Sequence, residues 1–159
     1  MDTNVEALQV ARALVSGELT LAELEGMTYE DAQECARVGV ELAEAGRLEE
    51  ARIVFEGLTA SNLRDSAAWG ALGTVYQKLG RAEDALAAYA TCLRLDPLNP
   101  VALLNRGELR LRRGDGQGLE DVAAALHADR EGHTSAGRRA MGLMKLVAVA
   151  AARGQAPRG

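Results

Sequence analysis

A chain of 159 residues with 30 alanines and 23 leucines but only five aromatic residues must build its core from Ala and Leu helix packing, which points to an all-α protein. Its formal charge of -5 argues against a nucleic-acid binder, yet the charge is uneven: residues 1–65 carry 14 acids and 5 bases, and residues 100–159 carry 6 acids and 10 bases. Cys35 and Cys92 lie far apart without a metal-ligand spacing, so buried thiols in a reducing compartment are expected, with no metal and no cofactor.

In chain order, Thr3 to Glu6 has the form of a capping box and predicts a first helix from about Asn4 to Ser16, ended by Gly17. Leu8, Ala11, Leu14 and Val15 make an apolar stripe on it that needs a cover, either the first repeat or a second chain. Leu8, Leu14, Val15 and Leu19 are therefore the expected contacts of a homodimer. A second capping box, Thr20 to Glu23, opens a short helical turn closed by Gly26, and a third, Thr28 to Asp31, starts a long helix. Residues 1–27 thus form an N-terminal helix and leader.

From there a period of 34 residues is visible: Gly39, Gly73 and Gly107 share one spacing, and Gly46, Gly80 and Gly114 another. Three repeats follow, at 32–65, 66–99 and 100–133, within a region 28–133. Trp69, Leu72, Gly73, Tyr76, Gly80, Ala85, Tyr89 and Pro97 fall at the spacing W-x2-L-G-x2-Y, then A-x3-F/Y, then P, so 66–99 resembles the tetratricopeptide (TPR) repeat. That resemblance implies helix-turn-helix pairs in a curved right-handed array. The fixed period aligns Ala51, Ala85 and Leu119, and likewise Phe55, Tyr89 and Ala123. The third repeat departs most: Arg106 and Arg110 stand where apolar residues are wanted, and Gly114, Gly116 and Gly118 crowd its turn before a second helix at about 119–130. Ser135 is placed to cap a last helix over 134–153 that closes the stack, and 154–159 is an expected disordered tail.

Little here supports catalysis. His127 and His133 have no ligand spacing, and the pairs Glu49-Glu50, Glu83-Asp84 and Glu120-Asp121 recur at one point of each repeat, as first-turn acids favoured by the helix dipole. Arg106, Arg110 and Arg113 share a helix face that suits either an acidic partner or internal pairing. What remains is a surface. In TPR-like proteins the first helix of each repeat lines the concave side, and the matching positions here are Gln33, Ala36, Val40 and Ala43, then Gly70, Thr74 and Gln77, then Val101, Leu104, Glu108 and Leu111. Ala67, Glu44, Lys78 and Arg112 complete the set. A small, apolar lining with a polar edge suits an extended peptide.

Ser16 to Thr28 (SGELTLAELEGMT), Ala45 to Ala51 (AGRLEEA), Phe55, Leu58, Asp65, Gly73, Gly80, Ala85 and Tyr89 together resemble a narrower family, the class II type III secretion chaperones that protect translocator proteins. The resemblance covers roughly residues 8–130. It implies a non-catalytic, cytoplasmic bacterial chaperone, often a homodimer through its N-terminal helices, holding a Pro-x-Leu-x-x-Pro segment of a translocator in the groove. Ala36 and Ala43 stand where that family tends to place tyrosines, which implies wider pockets. The alternative is a general TPR adaptor docking an acidic partner on the Arg-rich third repeat. No nucleic acid and no stable membrane insertion are expected, since the apolar run at 141–152 contains Lys145 and falls short of the ~20 residues that span a bilayer.

Overall fold

The structure, a computed structural model, describes residues 26–154 and, ahead of them, Gln9, Arg12, Ala13 and Ser16. The expected dimer contacts Leu8, Leu14, Val15 and Leu19 lie outside the described residues, as do 17–25 and the tail at 155–159. Gln9, Arg12, Ala13 and Ser16 are helical, and Ser16 Oγ donates to the Ala13 carbonyl at 3.2 Å. Over 26–154 the regular structure is all helix: α1 (Tyr29–Glu44), α2 (Leu48–Ser61), α3 (Ser66–Lys78), α4 (Ala82–Leu95), α5 (Pro100–Arg112), α6 (Gln117–Ala128) and α7 (Ser135–Gly154). Two compact units divide the chain, Met1–Leu95 and Asp96–Gly159.

In the first unit, α1 opens on the capping box read from Thr28 to Asp31. Thr28 Oγ1 accepts from the Asp31 amide at 3.2 Å, and the Asp31 carboxylate accepts from the Thr28 amide at 3.0 Å. The Thr28 hydroxyl, donating to the Asp31 carboxylate at 2.6 Å, and the Thr28 amide hold the Asp31 carboxyl below the ordinary range. Asp65 caps α3 in the same way, accepting from the Ala68 amide at 3.0 Å. The glycine period marks a repeated turn: Gly46 and Gly80 follow their helices at φ 78° and 76°, and Gly114 in the second unit at 77°, a backbone that strains an L side chain.

The core of this unit joins Cys35 and Val38 of α1 to Val54, Phe55 and Leu58 of α2 and Leu72 and Val75 of α3. Room for its two buried aromatic rings comes from the other set of glycines. A Cβ on Gly39 would stand 2.8 Å from the Phe55 ring, and one on Gly73 2.7 Å from the Tyr89 ring. Each helix pair therefore closes by seating a second-helix aromatic over a first-helix glycine, with Phe55 1% and Tyr89 0% exposed.

The second unit begins on Asn99, which caps α5 by accepting from the Ala102 amide at 3.0 Å, with Pro100 in the first turn, where its missing N–H costs nothing. Its second helix corrects the fixed alignment. Leu119 is 38% exposed and Ala123 is exposed, while Gly118, Asp121, Val122 and Ala125 are buried. The equivalents of Ala51 and Phe55 are thus Gly118 and Val122, one residue earlier. The physical reason is a close crossing: a Cβ on Gly107 would lie 2.8 Å from the Gly118 carbonyl oxygen, and one on Gly118 2.5 Å from that of Gly107. Two backbones meet where the earlier pairs seat a ring, and α6 starts at Gln117 rather than Leu119.

This register turns Asp121 inward, although it reads in sequence as a first-turn surface acid. Arg106 donates to its two carboxylate oxygens at 2.8 and 2.6 Å, and Arg110 donates to Oδ2 at 2.8 Å. The Asp121 side chain is 7% exposed and pairs with both Arg106 and Arg110 from within, and Asp115 stands 3.7 Å from Arg110.

Entry into α7 also differs by one residue, since Thr134 rather than Ser135 supplies the cap, its hydroxyl oxygen accepting from the Gly137 amide at 3.0 Å. Asp129 anchors the turn: it accepts from the His133 amide at 2.9 Å, the Thr134 amide at 2.8 Å and the Thr134 hydroxyl at 2.6 Å. The Thr134 hydroxyl and amide, with the His133 amide, hold the Asp129 carboxyl down at about 2. Because its folded value lies below the unfolded ~3.9, the stabilisation is fully present above that value and is lost as pH falls through about 2. Limited proteolysis should find α7 protected at pH 4 and released as pH approaches 2. In Asp129→Ala the release should occur at neutral pH, and an unchanged profile in that variant would remove the anchor.

Candidate functional site

A cleft of about 630 Å³ opens in the first unit between α1 and α3. Tyr29, Ala32, Gln33, Ala36, Arg37 and Val40 line it from α1, Ala67, Ala68 and Ala71 from α3, and Asn62, Arg64 and Asp65 from the connecting loop, with Phe55 beneath. Alanines on both walls leave a trough without large side chains to fill it. At one end stands Tyr29, 75% exposed, its hydroxyl oxygen accepting from Gln33 Nε2 at 2.8 Å. Arg37 is oriented by Glu34, whose carboxylate accepts from Arg37 Nε at 3.0 Å, and it also pairs with Glu41. The trough thus has an apolar floor for side chains and a rim of amide, guanidinium and carboxylate groups for a backbone.

Of the residues assigned to a groove by sequence, Gln33, Ala36 and Val40 come together here, with Ala67. Val40 is 45% exposed, as a contact residue must be. Ala43 lies outside the cleft lining, and its carbonyl accepts from Lys78 Nζ at 3.5 Å. Gly70, Thr74 and Gln77 serve the α3–α4 contact instead. A Cβ on Gly70 would meet Cys92 Sγ at 3.3 Å, and the Tyr89 hydroxyl donates to Gln77 Oε1 at 2.8 Å and lies 3.3 Å from Thr74 Oγ1.

The third repeat departs further from the expected lining. Val101 is 43% exposed, but Leu104 is fully buried, so it belongs to the interior and offers no contact surface. The reason is α7, which packs on α5: Arg139 of α7 donates to both Glu108 carboxylate oxygens at 2.7 and 2.6 Å, one turn from Leu104 on the same face. Leu111 is half-buried against Gly118. Arg106 and Arg110 are held by Asp121, which removes two of the three charges from the proposed docking face for an acidic partner.

Residues that sequence reasoning missed are Tyr29, Ala32, Arg37, Asn62 and Arg64. Tyr29 carried a usable signal, since it is one of five aromatic residues and stands in a polar first turn rather than on the apolar stripe of α1. The other chemistry-bearing residues are accounted for locally. His127 Nδ1 lies 2.7 Å from Arg130 Nη2, and His133 Nε2 lies 2.7 Å from Glu131. Cys35 and Cys92 are buried thiols, and burial pushes the Cys35 thiol up to about 11, away from a reactive thiolate. Among the described residues no group of three or more His, Cys, Asp or Glu side chains is placed to hold a metal, and no helix is long and apolar enough to cross a membrane.

Residues 66–99 match the tetratricopeptide repeat family. Over 70 residues, 43% of its length, the chain is 39% identical to the peroxisomal targeting signal receptor of Yarrowia lipolytica, of which it spans only 12%. Among solved structures, PcrH from Pseudomonas aeruginosa superposes with a TM-score of 0.72 at 23% identity, covering 80% of this chain and 98% of that one. PcrH in complex with the chaperone binding region of PopD gives 0.71, also at 23% identity, over 78% and 96%. The type III secretion chaperone SycD of Yersinia enterocolitica, in complex with a peptide of the translocator YopD, gives 0.69 at 16% identity over 78% and 97%. The chain is an all-α protein that carries a tetratricopeptide repeat and shares the fold of the type III secretion translocator chaperones.

Proposed function

We propose that the protein is a non-catalytic chaperone of the bacterial cytoplasm that holds an extended segment of a secreted translocator in the α1–α3 cleft. The observation that carries this reading is the alanine-walled trough beside exposed Val40 and Tyr29. An extended strand places alternate side chains on one side, so an apolar side chain can enter the trough while Gln33, Asn62 and Arg64 meet the peptide backbone. Kinship of fold with PcrH and SycD, both crystallised with translocator segments, supports the same choice of ligand. With Ala36 in place of a larger groove residue, the trough accepts a bulky leucine or proline.

The test is fluorescence anisotropy with a labelled Pro-x-Leu-x-x-Pro peptide. Ala36→Trp fills the trough and Val40→Glu places a charge at its edge, so each should weaken binding by at least about tenfold, roughly 1.4 kcal/mol. Val40 is 45% exposed and Ala36 is half-buried at the cleft wall, and far-UV helicity should stay unchanged. Wild-type affinity in both variants would exclude the cleft.

A further inference from the structure

Four arginines of the first unit are neutralised around a single helical turn. Arg37 pairs with Glu34 and Glu41, Arg47 with Glu50, Arg52 with Glu49 and Glu56, and Arg81 with Asp84. Each pair joins residues three or four apart, the spacing at which side chains on a helix meet. Of the two arginines that line the α1–α3 cleft, Arg37 follows this pattern and Arg64 does not. The residues at those spacings from Arg64 are Ala60, Ser61, Ala67 and Ala68, so its sequence surroundings supply no carboxylate. The adjacent Asp65 already serves the cap of α3, accepting from the Ala68 amide at 3.0 Å.

Arg64 is nevertheless held in place. Its amide donates to Asn62 Oδ1 at 3.0 Å, which fixes the loop, and the residue is exposed on the cleft lining. That lining carries Arg37 and Arg64 against Asp65, whereas residues 1–65 as a whole carry 14 acids and 5 bases. The cleft is therefore a cationic spot on an acidic stretch of chain. A guanidinium has five N–H donors, so a carbonyl of a bound peptide backbone occupies only part of it and leaves its charge unmatched. A carboxylate fits the remaining fork with two parallel bonds and matches the charge as well. We infer that the client segment carries an acidic side chain one or two residues from its apolar anchor, and that Arg64 selects it. An extended strand advances about 3.3 Å per residue, so a carboxylate that near the anchor stays within reach of the rim. The inference rests on the cleft as the client site and adds a rule for which segments it accepts. Because the surroundings are acidic, a carboxylate elsewhere on the segment gains nothing, and the preference belongs to one position.

Fluorescence anisotropy on the full chain tests this with labelled Pro-x-Leu-x-x-Pro peptides that carry glutamate or glutamine at each x position in turn and alanine at the others. At one position glutamate should bind about fivefold tighter than glutamine, and at the rest no tighter. In Arg64→Gln the ratio at that position should fall to about one, and Arg64→Lys, which keeps the charge without the fork, should retain part of it. In Arg64→Glu the order should invert, with a lysine peptide binding tighter than the glutamate one. Arg64 is exposed on a loop, so native far-UV helicity is expected in all three variants and confirms that each is folded. No glutamate preference at any position, or a preference that persists in Arg64→Gln, would overturn the inference. The cleft fails by a different result. Peptides that bind alike with glutamate and glutamine yet weaken in Ala36→Trp would keep the cleft and remove the acid rule, whereas no binding at all, or affinities untouched by Ala36→Trp, would remove both.

Discussion

Leu104→Glu should unfold the second unit rather than merely block a ligand, and the milder Leu104→Ala should lower the free energy of unfolding by about 3 kcal/mol. The reason is complete burial, at 0% exposure, under the α5–α7 contact that Arg139 and Glu108 close at the surface. Removing three carbons there loses transfer energy and leaves a cavity, because the flanking helices cannot collapse into it freely. Placing a carboxylate there adds a desolvation cost, since Arg139, one turn away, is already held by Glu108. Val101→Glu supplies the control on the same helix. Val101 is 43% exposed, and the change should stay within about 0.5 kcal/mol. Urea unfolding followed by helicity at 222 nm checks both, and a Leu104→Glu protein of native helicity and midpoint would contradict the burial.

Asp121→Ala should cost about 3 kcal/mol, the second large effect. It strips the shared carboxylate from Arg106 and Arg110, whose side chains are only 19% and 26% exposed, and leaves Arg110 with only its longer contact to Asp115 at 3.7 Å. Their partial exposure keeps the estimate at the low end for a broken buried pair. The other repeats show what the site looks like without charge: Val38 and Leu72 stand at the position of Arg106, and Val54 and Ala88 at that of Asp121. Arg106→Leu combined with Asp121→Ala should therefore recover at least half of the loss. Equal instability of the single and double variants would mean that packing, not charge, sets the cost.

Much of the fold was legible because its devices are local. A capping box needs four residues, and a left-handed turn needs one glycine at a fixed offset, so Thr28, Asp31, Gly46, Gly80 and Gly114 announced themselves. The register of α6 was not legible. Whether Gly118 or Leu119 faces α5 depends on two backbones meeting at Gly107, a contact between helices that a fixed period cannot express. The inward turn of Asp121 follows from that register, and with it the internal use of Arg106 and Arg110.

The candidate cleft was legible in part. Gln33, Ala36 and Val40 lie on the open side of α1, where position within the repeat and position in the cleft coincide. The rule failed at Thr74 and Gln77, because the Tyr89 hydroxyl reaches across to claim them, and at Leu104, because α7 covers it. Tyr29 and Arg64 enter the cleft from a helix start and a loop, outside any positional rule for a helix face.

The central claim is that the α1–α3 cleft receives an extended client segment. Titrating isotope-labelled full-length protein with the Pro-x-Leu-x-x-Pro peptide and following its amide resonances tests it most directly. Saturable shifts should cluster at residues 29–40 and 62–71 and be absent from those shifts' counterparts in Ala36→Trp. Shifts confined to α6 and α7, or none at millimolar peptide, would contradict it.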